Sequence, residues 1–183
     1  MNPELREELL RLVATDQHAR RRLDEHPRLT NGVPEEDLST AERQTLEQLL
    51  MVDAGNTTRM KEVLAAHGWP GYALVGSDGA EAAWLLVQHA DRDPAFQRRC
   101  LELLSEAVRA GDADAGHEAY LTDRVLVAEG KQQVYGTQFR MTGDGALEPQ
   151  PLADPDQVDV RRRQVGLGSL EEYRKLLADR RSG

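Results

Sequence analysis

A chain of 183 residues with 39% apolar and 30% charged side chains can bury a core large enough to fold alone, and one domain over 1–183 is the first expectation. Its net charge of -9 opposes binding to phosphate backbones, and no apolar run is long enough to span a bilayer. Neither nucleic acid nor membrane is therefore expected as a partner. The start Met-Asn-Pro-Glu-Leu lacks the basic and apolar stretches of a secretory signal, which reads as cytoplasmic. Cys100 is the single cysteine and sits in an amphipathic pattern, so it reads as a packed thiol with no disulfide or thiolate cluster.

Leu5, Leu9, Leu12 and Leu23 behind Pro3 predict a helix over about 3–24, ended by His26-Pro27. Residues 26–38, with Asn31-Gly32 and Pro34, read as a flexible loop. Ser39-Thr40-Ala41-Glu42 matches a capping box that opens a second helix running to about His67. Gly68-Trp69-Pro70-Gly71 breaks it, and a loop through Val75-Gly76-Ser77-Asp78 leads to a third helix over 80–90. Gly76-Ser77-Asp78-Gly79 before that helix reads as an anion site or, more commonly, as a capped start.

Asp93-Pro94 opens a fourth helix ending near Gly111, and a fifth covers about 117–129. Residues 133–139 then read as a strand, turned by Gly143-Asp144-Gly145 into a hairpin near 132–148. An ordered connection over 149–157 leads to helical stretches at 158–165 and 170–180, with Ser169-Leu170-Glu171-Glu172 as another capping box. The sum is a mainly α domain of about six helices with one small β-hairpin.

Some polar residues fall where helical packing calls for apolar ones. In the second helix Leu46, Asp53, Met60 and His67 are seven apart, and Leu49, Asn56 and Val63 form the next row, so Asp53, Asn56 and His67 face the core side. In the first, Asp16 shares the leucine stripe with Arg20 one turn on, a spacing that suits a structural ion pair. The third helix is apolar all round until Gln88 and His89, which suggests the wall of a cavity. On the fifth, Tyr120, Asp123 and Arg124 set an acid and a base together, and Gln133, Tyr135 and Thr137 would alternate onto one side of the strand, followed by Gln138.

The plain explanations stand beside these. His67 is also the residue that a helix C-terminus favours, and Asp53 and Asn56 could cap a neighbour or mark a kink at Gly55. Trp69 and Trp84 read as core; His18, His26 and His117 read as surface; Arg161 to Arg163 read as solvated charge. No metal or cofactor is expected, because His67, His89, Asp53 and Asp123 share no ligand spacing and no phosphate-loop or dinucleotide fingerprint is present.

His67-Gly68-Trp69-Pro70, Gln88-His89-Ala90-Asp91, Tyr120-Leu121-Thr122-Asp123-Arg124 and Gln133-Val134-Tyr135-Gly136-Thr137-Gln138 together resemble a bacterial family of unknown function. Val158-Asp159, Arg161-Arg162, Val165-Gly166-Leu167 and Leu170-Glu171-Glu172-Tyr173 resemble its C-terminal signature. The resemblance implies an identity and carries no reaction.

The functional expectation is acid/base catalysis, by hydrolysis or by elimination or isomerisation, on a polar small molecule or peptide segment. His89 is the expected base or acid, since the ordinary imidazole pKa of about 6.5 lies close to working pH. Asp123 is expected to orient it and Arg124 to hold an anionic group, with Asp53, Asn56, His67, Gln88, Tyr120, Gln133, Tyr135, Thr137 and Gln138 binding the ligand. The alternative is a non-catalytic module that recognises a ligand or peptide with the same polar set.

Overall fold

The computed structural model describes residues 1–30, 33–142 and 146–182. The turns expected at Asn31-Gly32 and Gly143-Asp144-Gly145 lie outside the described residues. The fold is mainly α-helical with one two-stranded antiparallel hairpin, as the sequence pattern implies. Its residues group into two compact units, 1–103 and 104–183. Among the described residues no helix is long and apolar enough to cross a membrane.

The first unit begins with α1 (Pro3–Asp24), where the Asn2 side chain accepts from the Leu5 N–H at 3.1 Å. A short helix α2 (Pro27–Thr30) and a 3-10 turn (Glu35–Asp37) occupy the segment expected as a loop. The long helix α3 (Thr40–His67) opens with the reciprocal cap read from the sequence: Glu42 N–H donates to Ser39 Oγ at 3.3 Å, and Ser39 N–H to Glu42 Oε2 at 2.8 Å. Next comes α4 (Tyr72–Gln88), and α1 packs on both α3 and α4. The interior is built from Leu5, Leu9, Leu49, Met60 and Val63 together with Val75, Ala83, Leu86 and Val87 of α4.

Helix α4 starts earlier than the pattern suggests. Tyr72–Val75 already forms a turn, and the backbone breaks at Gly76, with φ 74° and ψ 174°, before the helix resumes. Only glycine adopts that conformation without strain. The expected loop is thus a kink inside one helix. Asp78 accepts from the Gly79 N–H at 2.9 Å and from Arg6 Nε at 2.8 Å, so this stretch already carries its own carboxylate, while the N-cap of α4, Gly71, has no side-chain cap. Helix α5 (Pro94–Arg109) is capped by Asp93, whose Oδ1 accepts from the Phe96 N–H at 3.0 Å.

In the second unit α6 (Ala115–Ala128) is capped by Asp114. Strands β1 (Phe139–Met141) and β2 (Leu147–Pro149) pair with Arg140 opposite Glu148. A 3-10 turn (Pro155–Gln157) leads to α7 (Val158–Gln164), and α8 (Leu170–Ser182) starts at the Ser169–Glu172 capping box. The hairpin begins later than expected: residues 134–138 are irregular, and only Phe139 of the expected strand is in the ladder.

Arginines hold that irregular loop in place. Arg162 is buried and donates from Nη1 to Tyr135 O at 2.8 Å and from Nε to Gly168 O at 2.6 Å, with Tyr173 stacked 5.2 Å from its guanidinium. Arg161 donates to Val134 O at 2.8 Å and Ala153 O at 2.6 Å. Two of the three arginines read as solvated charge therefore satisfy loop carbonyls, which sequence spacing could not show.

Gly136 closes the loop with φ 68°, and a Cβ there would lie 2.8 Å from Leu170 Cδ1. Gly136→Ala is expected to destabilise the chain by roughly 1–3 kcal/mol through backbone strain and this contact, read by urea unfolding. An unchanged midpoint would contradict the described loop.

Candidate functional site

The buried leucine stripe of α1 carries Asp16 one turn before Arg20, and both side chains turn toward the C-terminal end of α4. Asp16 has no exposed side-chain surface. Its oxygens lie 3.0 and 2.9 Å from His89 Nδ1, and Oδ2 accepts from Gln17 Nε2 at 2.9 Å and Arg20 Nε at 3.3 Å. Arg20 also donates from Nη2 to Asp53 Oδ1 at 2.7 Å, so one guanidinium on α1 joins carboxylates of α1 and α3.

Arg20 Nε also lies 3.0 Å from His89 Nδ1. A single Nδ1 cannot both accept from Arg20 and donate to Asp16, and hydrogen positions follow from the network. We assign the Nδ1 proton to the bond with Asp16, because a sealed carboxylate needs every donor within reach. Arg20 Nε–H then goes to Asp16 Oδ2, and the lone pair of His89 lies on Nε2.

The two carboxyls are driven in opposite directions. Burial pushes Asp16 up, but the hydrogen bond from His89, with the charge and hydrogen bond of Arg20, outweighs it and holds the group below the ordinary carboxylate value of 3.8. For Asp53 burial prevails over Arg20, and the nearby Asp16 adds to it, so this carboxyl sits above its ordinary value.

Both His89 and Asp53 line a pocket of about 250 Å³ with Leu50, Thr57, Lys61 and Arg92. Lys61 is tied to Asp93 at 2.6 Å on its rim. His89 is the C-cap of α4, with φ -90° and ψ 2°. Buried Gln97 of α5 fixes this helix end by donating to Val87 O at 3.2 Å and Gln88 O at 3.1 Å. The sequence reading passed over Gln97, Thr57 and Lys61. Thr57 and Lys61 follow Asp53 at i+4 and i+8 on one face of α3, a spacing that could have found them.

Asp123, expected to orient His89, has a different occupation: the partner of that ring is Asp16. The Asp123 carboxylate, fully buried on α6, accepts the N–H groups of Val134, Tyr135 and Thr137 at 2.7, 3.0 and 2.9 Å and the Thr137 hydroxyl at 3.0 Å. Gln133, also expected to bind ligand, donates to Gln138 O at 2.9 Å and Gln150 O at 2.8 Å and accepts from Gln138 N–H. Thr137 and Gln138 bond to one another at 3.0 Å. These residues satisfy the loop itself, so the expected one-sided row on a strand is absent.

Of the others, Tyr135 is half-buried with its phenol pushed up by burial, and Tyr120 packs edge-on to Tyr173. Arg124 is half-buried on α6. Asn56 is buried with its Nδ2 unpartnered, and Gln88 is buried next to His89. His67 is exposed at the last position of α3 and so is not part of the buried core. By angle His67 falls between buried Met60 and Val63, so its exposure comes from standing at the last position of the helix and not from its face.

Residues 3–182 match a family of unknown function, DUF6624. The chain belongs to that family. No curated protein and no solved structure matches it. The DUF6624 match extends over both units, so it includes the Asp16–His89 cluster and the Asp123 loop alike.

Asp123→Ala is expected to cost about 3–5 kcal/mol by leaving buried N–H groups without an acceptor, as read by chemical denaturation. For Asp16, a lowered carboxyl adds stability above its ordinary value, and that contribution is lost as pH falls through the folded value. The stability gap between wild type and Asp16→Asn should therefore be widest above pH 3.8 and narrow below it in pH-dependent unfolding. A gap that widens on acidification would reverse the assignment.

Proposed function

We propose that the chain is an enzyme that moves protons on a polar small molecule bound in the pocket at the end of α4. The observation that carries this reading is a histidine whose Nδ1 is held by a sealed carboxylate while the ring lines a cavity. A carboxylate on Nδ1 fixes the tautomer and orientation and stabilises the imidazolium that forms when Nε2 takes a proton. In this reading His89 is the base or acid, Asp16 is its positioning residue, and Arg20 keeps both carboxylates in register. Asp53, on the same pocket, contacts the ligand.

The chemistry is narrowed by what the pocket offers. The hydroxyls of Thr57 and Thr58 donate to Asp53 O at 2.8 Å and Ala54 O at 3.0 Å, so neither is activated by His89. Cys100 is buried, and burial pushes its thiol up to about 12, far from a reactive thiolate. Proton transfer or the activation of water therefore fits better than a covalent intermediate. A volume of about 250 Å³ also favours a small molecule over a peptide segment.

The test combines structure and turnover. Long-range ¹H–¹⁵N spectra should show His89 neutral as the Nδ1–H tautomer. Once screening against ester, amide and carbon-acid panels yields a turnover, His89→Gln should lower it by about 10²–10⁴-fold with little change in melting temperature. Asp16→Asn should lower turnover as well and shift its pH profile. A sealed ring with the proton on Nε2, together with full activity in His89→Gln, would leave the cluster a structural ion network.

A further inference from the structure

The polar groups around the pocket are not a balanced mixture. The hydroxyl hydrogens of Thr57 and Thr58 are committed to backbone carbonyls of their own helix, so these side chains offer the cavity oxygen lone pairs only. His89, with its Nδ1 proton given to Asp16, adds a nitrogen lone pair. Asp53 Oδ1 is taken by Arg20, and Oδ2 makes no hydrogen bond among the described residues. Asp53 Oδ2, the two threonine oxygens and the free nitrogen of His89 are thus all acceptors, with Thr58 the exposed member.

Charge points the same way. Asp16 and Asp53 face a single guanidinium, Arg20, so two carboxylates share one permanent cation. The side chain of Asp53 is only 15% exposed, so water screens its charge weakly. Of the cations on the lining, Lys61 is exposed and already paired with Asp93, and Arg92 is exposed, where water screens its charge. A ligand that brings donors and a positive charge would satisfy what the wall lacks.

We propose that the pocket takes a small molecule with a cationic nitrogen head group, an ammonium or amidinium, held against Asp53. Burial raises the carboxyl of Asp53, and a cation brought against it would offset that cost to its charged form. Thr57 and Thr58 oxygens accept the remaining N–H groups, and the atoms next to the nitrogen come before His89. This assignment rests on the pocket being the place where His89 acts.

Three probes of one shape separate the chemistry: benzamidine, neutral benzamide and anionic benzoate, each titrated into the full chain at about pH 7 and followed by amide chemical shifts and calorimetry. Benzamidine should bind saturably and shift the amides of Asp53, Thr57 and His89, with benzamide at least about tenfold weaker and benzoate silent. Asp53→Asn should weaken benzamidine by at least about tenfold. Ala54→Leu, which fills the lining from an exposed position on α3 without altering any charge, should abolish its binding while leaving the fold intact. Ala54→Leu also keeps the test open should Asp53→Asn unfold.

Benzoate binding as tightly as benzamidine, benzamidine binding indifferent to both variants, or no response of the pocket amides to any probe would overturn the assignment. The His89 ring nitrogens, read in the same samples, separate this outcome from that of the catalytic reading. An Nδ1–H ring without benzamidine binding removes the ligand class alone. Benzamidine binding beside an Nε2–H ring keeps the ligand class and removes the base.

Discussion

A carboxylate cut off from water has to find its hydrogen bonds inside the protein, and each unit of this chain is arranged around one that has no exposed surface, Asp16 in the first and Asp123 in the second. Leaving either unpaired would cost several kcal/mol, a large part of the margin by which a domain is stable. What surrounds each carboxylate is therefore a strong constraint on its unit. The two solutions differ in kind, and the difference separates a site that can do chemistry from one that holds a loop.

Around Asp123 the donors are mostly the peptide N–H groups of Val134, Tyr135 and Thr137. Such donors do not titrate, and they fix the backbone of 134–137 into a curve that no strand could follow. The loop is held from its other edge by carbonyl contacts of Arg161 and Arg162. The peptide of Tyr135 joins the two, with its N–H on Asp123 and its carbonyl on Arg162. An acid on α6 and a base on α7 thus clamp the same residue through its main chain. Polar side chains that look poised for a ligand are the internal fittings of this loop.

Around Asp16 the donors are side chains, one of them an imidazole that can gain or lose a proton. The ring sits where α4 ends, so its far edge is not closed by another turn of the same helix. Gln97 satisfies the carbonyls of that helix end and lets the chain leave without collapsing over the histidine. Packing of α1 against α3 and α4 then places Arg20 between Asp16 and Asp53, which spreads one positive charge over two acids. Burial leaves Asp53 raised, while the hydrogen bond from His89, with Arg20, holds Asp16 down, the pattern expected where two acids near each other take different roles.

The sequence by itself determined most of the local structure: the caps at Ser39, Asp93 and Ser169, the break at Gly68, and the mainly helical class, because each rests on interactions within a few residues. It also marked Asp16, Asp53 and His89 as polar groups on packed faces, since the period of a helix assigns faces without knowing neighbours. What it could not decide was partnership. Asp16 precedes His89 by 73 residues, and a pairing across that distance depends on how helices cross. Asp123 looked like an equally good partner by type. Only the tertiary structure gave it to the backbone of residues 134–137 and gave the histidine to Asp16, because a buried charge is satisfied by whichever donors the fold brings within about 3 Å.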